Sequence, residues 1–160
     1  MWIVCQKMKH SKLTFEYNKI TDYIYLGTNQ CCQIHFKKEL LNKGIKADIS
    51  LEKERIDAPF GVDYYLWLPV KDHTAPTLKQ LKIGAKFIDN LTANKIKAYI
   101  HCQRGHGRAP TLVAAYLIFK EQSIQESIKF IKKKRPSIHP NKTQINALKR
   151  FKKVIKNAKI

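Results

Sequence analysis

The sequence predicts an α/β fold, in which a central, mostly parallel β-sheet carries helices on both faces. From residue 29 onward, segments with helical periodicity alternate with short apolar segments typical of buried strands. Several helix starts carry Ser, Thr or Asn with Glu or Gln three positions later, a capping pattern. The chain has 160 residues, 44% of them hydrophobic, so we expect residues 1–160 to form a single domain.

The first half of the chain predicts four strands and one helix. Apolar and polar side chains alternate near the start, and the later strands are short apolar runs. The helix is expected to end at Gly44, because glycine accepts the left-handed backbone that closes a helix. The predicted strands cover residues 13–17, 23–26, 47–51 and 62–68, and the predicted helix covers residues 29–41.

The second half predicts four helices and one more strand. Thr77 with Gln80, and Ser123 with Glu126, have the spacing of a capping box. Pro110 favours the first turn of a helix, where its missing N–H costs nothing. The predicted strand covers residues 98–100, and the predicted helices cover residues 77–94, a segment from about 110, residues 123–134 and a segment from 141.

The chain is strongly basic, with a formal net charge of +19. Such a charge favours polyanionic partners, namely phosphorylated protein, anionic membrane surface or nucleic acid, or simply keeps the protein soluble. The basic runs at residues 132–135 and 149–153 lie on predicted amphipathic helices, so solvated helix faces are the preferred interpretation. No apolar run reaches membrane-spanning length, and we expect a cytoplasmic monomer.

The four cysteines are Cys5, Cys31, Cys32 and Cys102. They lack paired C-x-x-C spacing, so the sequence predicts no zinc site and no other metal or cofactor. Unpaired cysteines fit a reducing compartment. The sequence leaves open whether Cys31 or Cys32 can reach Cys102 and protect it from oxidation.

Residues 101–111, HCQRGHGRAPT, form the segment that carries the most chemistry. They join a predicted strand to a long apolar helix, and they contain two arginines, two histidines and no acid. Such loops bind ligands at the carboxyl edge of a parallel sheet, next to the positive end of a helix. Gly105 and Gly107 allow the backbone to turn its N–H groups inward. We therefore expect residues 102–108 to cradle a tetrahedral oxyanion.

Two side chains of this loop predict a reaction as well as binding. Cys102 opens the loop, where cationic groups and a helix end favour the nucleophilic thiolate. Arg108 closes it, and its planar guanidinium can hold two phosphoryl oxygens at once.

The string HCQRGHGR resembles His-Cys-x-x-Gly-x-x-Arg, the phosphate-binding loop of cysteine-dependent protein tyrosine and dual-specificity phosphatases. The small, single-domain dual-specificity branch fits best. Three further segments resemble parts of that family, namely ITDYIYLG at 20–27, GIKADISLEKE at 44–54 and RPSIHPNKTQ at 135–144.

This resemblance implies a phosphatase that works through a phosphocysteine intermediate without metal or cofactor. Asp72 matches the general acid of the family, and no other acid lies between Asp63 and Asp89. His101 matches the histidine that orients the cysteine. The implied catalytic residues are Cys102, Arg108 and Asp72, and the implied phosphate-binding residues are Gln103, Arg104, Gly105, His106, Gly107 and Arg108.

The chain departs from the family pattern at Ala109, where a Ser or Thr usually follows the arginine. That hydroxyl normally donates to the sulfur as the intermediate breaks down. Thr111 lies two positions on and is expected to point elsewhere. We therefore expect a phosphoenzyme that forms readily and hydrolyses slowly.

The expected substrates are proteins carrying phosphotyrosine or phosphoserine/threonine. A lipid phosphatase is an alternative, because Arg104 and His106 resemble the basic loop residues of family members that act on phosphoinositides. The apolar run LVAAYLI at 112–118 also resembles the branch that acts on phosphatidylglycerol phosphate. The basic C-terminal half leaves an RNA 5′-phosphatase or a polyanion-binding protein as further alternatives.

Overall fold

Five strands form the central sheet of the computed structural model, which describes residues 12–158. In chain order they are β1 (Tyr17–Lys19), β2 (Ile24–Thr28), β3 (Ile45–Glu52), β4 (Tyr64–Val70) and β5 (Lys97–Cys102). Their spatial order is β1-β2-β5-β3-β4, with β1 antiparallel to β2 and every other described pair parallel. The predicted mostly parallel sheet is confirmed, and Cys5 lies outside the described residues.

Five helices surround this sheet, and a 3₁₀ turn at Asn29–Cys31 follows β2. They are α1 (Lys38–Asn42), α2 (Leu78–Ala93), α3 (Arg108–Phe119), α4 (Ile124–Lys134) and α5 (Lys142–Asn157). The capping boxes predicted at Thr77 and Ser123 are present, and Asn141 caps α5 in the same way. Of the described helices, none combines the length and the apolarity that a membrane crossing requires.

Alternate residues of β2 show that helices cover both sheet faces, as predicted. Ile24 and Leu26 belong to the large apolar core shared with α2, α3, α4 and α5. Tyr25 points to the opposite face, where it packs in a smaller cluster with Phe36 and with Leu40 of α1. The helices are therefore unequally divided, with four on one face and the short α1 on the other.

The helix predicted at residues 29–41 is wrong over most of its length. The 3₁₀ turn and α1 are separated by an irregular segment, because partners distant in sequence take its backbone groups. Arg55 donates to the carbonyl of Asn29, and the N–H of Ala58 donates to the carbonyl of Cys32. A regular helix would need those carbonyls for its own hydrogen bonds.

The predicted strands differ from the observed strands in their bounds, and two differences have a physical reason. The first strand, predicted at residues 13–17, overlaps β1 only at Tyr17, because the ladder with β2 starts at the pair Tyr17–Gly27. The second runs through Gly27, where a Cβ atom would lie 2.2 Å from the Tyr99 hydroxyl. The glycine therefore allows a close approach inside the strand and does not end it.

Candidate active site

The loop singled out in the sequence lies at the carboxyl end of β5, the central strand. Cys102 is the last residue of that strand, and α3 begins at Arg108, two residues earlier than predicted. Both side chains are almost fully buried at the base of a cavity of about 330 Å³. The residues that line it are Asp72, His73, Cys102, Gln103, Arg104, His106, Gly107, Arg108, His139, Asn141 and Gln144.

The backbone carbonyls of residues 103–107 all bond to the surrounding protein. In a trans peptide the C=O and the following N–H point in opposite directions, and every peptide of this loop is trans. The N–H groups of residues 104–108 therefore point away from the surrounding protein and toward the cavity. The N–H of Asn29 donates to the carbonyl of Gln103, and the Arg135 guanidinium donates to those of Arg104 and Gly105. The N–H of His139 donates to the carbonyl of His106, and the N–H and hydroxyl of Thr111 donate to that of Gly107.

Gly105 is required at its position in this loop. Its φ of +66° lies in the left-handed region, and a Cβ atom there would come within 2.5 Å of the Gly27 carbonyl oxygen. Gly105 does not line the cavity itself. It allows the loop to pack directly against the end of β2.

Arg135 supports the loop from behind and was not predicted as a site residue. Its guanidinium donates to the carbonyls of Arg104 and Gly105 and to the side chain of Asn18, at 3.0, 3.2 and 2.8 Å. The residue is buried. It falls in the RPSIHPNKTQ segment, but nothing in that string indicates which side chain reaches the loop.

Arg108 is held by acceptors from two neighbouring strand ends. Nη1 donates to Glu54 Oε2 and to the carbonyl of Val70, both at 2.7 Å, and Nη2 lies 3.2 Å from Asp72 Oδ1. Nε is buried and bonds to none of the described residues, which leaves this N–H for a ligand. Burial would lower the pKa of Arg108, but the negative charges of Cys102, Glu54 and Asp72 raise it.

Glu54 was also missed by the sequence interpretation. Partial burial would raise the pKa of its carboxyl, but hydrogen bonds from Arg108 and from the backbone N–H of Asp72 hold that pKa below its usual range. Its position just after β3 could have identified Glu54 as a site residue, because the carboxyl ends of parallel strands meet at the same edge of the sheet.

Asp72 lies at the mouth of the cavity, about half exposed. The N–H of His73 donates to its Oδ1 at 2.9 Å. Two side chains from the start of α5 fix the backbone that follows, since Asn141 donates to the carbonyl of His73 and Gln144 to that of Thr74. The aspartate therefore faces Arg108, and the backbone that follows it is tied to the start of α5.

The remaining predicted positions differ in their surroundings. Ala109 is buried in the first turn of α3, and the Thr111 hydroxyl donates to the Gly107 carbonyl at 2.7 Å. The imidazole of His101 lies beside Asp48 and Cys32. Among the described residues, no contact between the His101 and Cys102 side chains supports the implied role of His101 in orienting the cysteine. That role stays a prediction.

Comparison with known proteins identifies similar sequences. The sequence model of the family "Dual specificity phosphatase, catalytic domain" matches residues 24–154. Dual specificity protein phosphatase 5 of Rattus norvegicus is 31% identical over 127 residues, covering 77% of this chain and 32% of the rat protein. The human phosphatidylglycerophosphatase and protein-tyrosine phosphatase 1 is 38% identical over 81 residues, covering 50% of this chain and 40% of that protein. The chain thus spans less than half the length of either relative.

Comparison with solved structures gives the same fold. A crystal structure of PTPMT1 in complex with PI(5)P superimposes with a TM-score of 0.76 and 28% sequence identity. The match covers 90% of this chain and 99% of the other.

Proposed function

The chain belongs to the dual specificity phosphatase catalytic-domain family, and from this we propose that it hydrolyses phosphate monoesters through a phosphocysteine intermediate. One observation carries the proposal. Cys102, Arg108 and Asp72, which lie up to 36 positions apart in the sequence, line a single cavity next to the start of α3. A nucleophile, a phosphate ligand and an acid in one cavity are the groups this reaction requires.

The first step transfers the phosphoryl group to sulfur. The substrate phosphate lies over Cys102, with its oxygens bound by the loop N–H groups, the end of α3 and Arg108. The Cys102 thiolate forms an S–P bond as the P–O bond to the leaving group breaks. Asp72, at the cavity mouth, donates its proton to the departing oxygen.

The second step returns the enzyme to its starting state. Asp72, now ionised, removes a proton from a water molecule that attacks phosphorus. The S–P bond breaks, inorganic phosphate forms, and Cys102 leaves as the thiolate. The N–H groups that held the substrate now stabilise the same charge on the transferred phosphoryl group.

Phosphotyrosine and phosphoserine/threonine in proteins are the substrates we propose. The cavity above Cys102 is open to solvent, and Asp72 and His73 lie at its rim. An open cavity of this kind can accept a phosphorylated side chain that is attached to a polypeptide. We propose that the protein works as a monomer in the reducing cytoplasm. The three free cysteines of the described chain support the reducing compartment.

A phosphoinositide or phosphatidylglycerol phosphate is the second candidate substrate. Arg104 and His106 line the cavity and add basic groups beyond Arg108. A phosphatidylglycerophosphatase is among the similar sequences, and one similar structure was solved with PI(5)P. An RNA 5′-phosphate has no comparable support in the cavity.

The test is a substrate panel at one ionic strength, comparing p-nitrophenyl phosphate, phosphopeptides, phosphoinositides, phosphatidylglycerol phosphate and triphosphorylated RNA. We expect Cys102→Ser to remove all turnover and Asp72→Ala to lower kcat/KM by about 10²–10⁴-fold on phosphopeptides. The Asp72→Ala loss should be smaller on p-nitrophenyl phosphate, whose leaving group needs little protonation. Asp63→Asn, an exposed change, is the matched control.

Turnover of any substrate by Cys102→Ser would contradict the mechanism. Unchanged kcat/KM in Asp72→Ala with a poor leaving group would contradict the role of Asp72 as the acid. Higher kcat/KM for a lipid phosphate than for every phosphopeptide would select the second candidate.

A further inference from the structure

A second cluster of reactive side chains lies outside the catalytic cavity, on the sheet face that carries α1. It consists of Cys31 and Cys32 of the 3₁₀ turn, Asp48 of β3 and His101 of β5. All four residues have 0% exposed surface. One sulfur, nitrogen or oxygen atom from each lies within 4.8 Å of all the others. The proposed phosphatase chemistry uses neither the thiols nor Asp48.

Asp48 is the residue of this cluster that most needs an explanation. It lies inside β3 between Ala47 and Ile49, and all three are fully buried. Its Oδ1 lies 3.1 Å from His101 Nε2, while neither carboxylate oxygen makes a regular hydrogen bond among residues 12–158. A buried carboxylate is strongly destabilising unless it is paired, so Asp48 requires either a protonated His101 or a metal ion beside it.

The distances within the cluster suit a small tetrahedral cation. Zinc bonds of about 2.0–2.3 Å to nitrogen, oxygen and sulfur place neighbouring ligand atoms about 3.3–3.8 Å apart. His101 Nε2 lies 3.6 Å from Cys32 Sγ and 3.1 Å from Asp48 Oδ1. The two sulfurs are 2.7 Å apart, so they would separate by about 1 Å on binding.

A neighbouring set of acids is a weaker candidate because its members already have partners. Glu52 accepts a hydrogen bond from Asn29 at 2.7 Å, and Asp57 accepts one from Arg55 at the same distance. Arg55 also reaches to 3.9 Å from Cys32 Sγ. Two thiolates and one carboxylate exceed the charge of a divalent ion by one, so the bound site would carry one negative charge beside the Arg55–Asp57 ion pair.

We propose that Cys31, Cys32, Asp48 and His101 form a closed, structural Zn²⁺ site. Thiolate and imidazole donors in a tetrahedral set favour zinc over magnesium or calcium. Binding would release the two thiol protons and join the 3₁₀ turn to β3 and β5. Since β5 ends in Cys102, the ion would stabilise the strand that positions the nucleophile. The inference does not depend on the proposed catalytic activity.

Zinc content of the full chain is the first test, measured by mass spectrometry after purification from zinc-supplemented cells. We expect about one zinc per chain in the wild type and in Cys102→Ser. Cys32→Ser and Asp48→Asn should each lose most of it. Removal of the ion with a chelator should lower Tm in the wild type and in Cys102→Ser, which retains all four proposed ligands, and leave Cys32→Ser unaffected.

A cobalt-substituted double variant, Cys5→Ser/Cys102→Ser, keeps the test valid where a ligand variant fails to fold. Its remaining thiols are Cys31 and Cys32, so a sulfur-to-cobalt charge-transfer band together with intense tetrahedral bands can come only from them. The proposal is overturned by a spectrum without that band, by wild-type zinc content near zero after reconstitution, or by equal zinc in folded Cys32→Ser.

Discussion

At the scale of single residues, the site depends on how the protein holds Arg108 before a ligand arrives. The two terminal nitrogens of the guanidinium contact Glu54, Val70 and Asp72, which lie at or after the ends of β3 and β4. The Nε–H group bonds to none of the described residues and can bind a ligand. A positioned guanidinium loses little conformational freedom on binding a phosphoryl group. The same two acids are joined by a hydrogen bond from the Asp72 N–H to Glu54 Oε1. The same contacts therefore fix both the orientation of the Arg108 guanidinium and the negative charge beside it.

Ala109 makes the first prediction at this scale. Because Ala109 supplies no hydroxyl to the leaving sulfur, the phosphocysteine should accumulate and rapid-quench kinetics should show a burst. Ala109→Ser should raise the steady-state rate by about tenfold, since one hydrogen bond to a charged group is worth about 1.5 kcal/mol. Ala109→Gly is the matched control without a hydroxyl. A linear time course without a burst in the wild type would contradict the prediction.

Glu54 makes a prediction for pH dependence. Its folded pKa lies below the ordinary value of 4.5, so the folded chain binds fewer protons than the unfolded chain at acid pH. The stability it contributes is complete above that ordinary value and is lost as pH falls through the folded pKa. Urea midpoints should therefore separate wild type from Glu54→Gln at pH 7 and converge as pH falls below the folded pKa. Asp63→Asn is the control, and a constant difference at all pH values would contradict the assignment.

At the scale of elements, the start of α5 both caps a helix and positions the acid. Asn141 caps α5 and also donates to the carbonyl of His73, which follows Asp72. Gln144 completes the capping box and donates to the carbonyl of Thr74. One helix start therefore sets the distance between the Asp72 segment and the phosphate-binding loop.

Two cap variants separate these roles. Ser123→Ala and Asn141→Ala should each destabilise the fold by about 1 kcal/mol, the usual cost of losing an N-cap. Ser123→Ala should leave kcat unchanged, since that cap opens α4 and its side chain does not line the cavity. Asn141→Ala should also lower kcat by about fivefold, the equivalent of one hydrogen bond. Equal kcat in the two variants, measured on one phosphopeptide, would contradict the positioning role.

At the scale of the whole molecule, the chain combines a net charge of +19 with a cavity that we propose binds phosphate esters. Much of this charge lies away from the cavity, as on the exposed side chains of Lys132, Lys133 and Lys134 in α4. Long-range attraction of this kind accelerates association with anionic partners and is weakened by salt.

Salt dependence tests this role of the charge. Raising ionic strength from about 0.05 M to about 0.5 M should lower kcat/KM for a multiply phosphorylated peptide by about tenfold, because the screening length falls from about 14 Å to about 4 Å. The loss should be smaller for p-nitrophenyl phosphate. The variant Lys132→Gln/Lys133→Gln/Lys134→Gln should keep most of the wild-type slope if these lysines are a solvated helix face. A salt-independent kcat/KM for both substrates would exclude electrostatic attraction.

Much of the fold could be predicted because its signals are local. The capping boxes at Thr77 and Ser123 use residues three positions apart, and the strand before Cys102 is a contiguous apolar run. The helix predicted at residues 29–41 was wrong because Arg55 and Ala58 take its carbonyls, and neither residue lies in that segment. The hydrophobic periodicity of a segment carries no information about hydrogen-bond partners that lie outside that segment.

The sequence by itself determined which loop we propose as the active site, since Cys102, Gly105 and Arg108 lie within seven positions and the chemistry proposed for them follows from residue type and spacing. The tertiary structure decided which groups surround them. Glu54 and Arg135 reach the loop from β3 and from the end of α4, and Asp48 meets Cys31, Cys32 and His101 across three elements. Contacts between distant segments are created by chain folding, so their partners are fixed by sheet order and helix packing, which residue spacing does not encode.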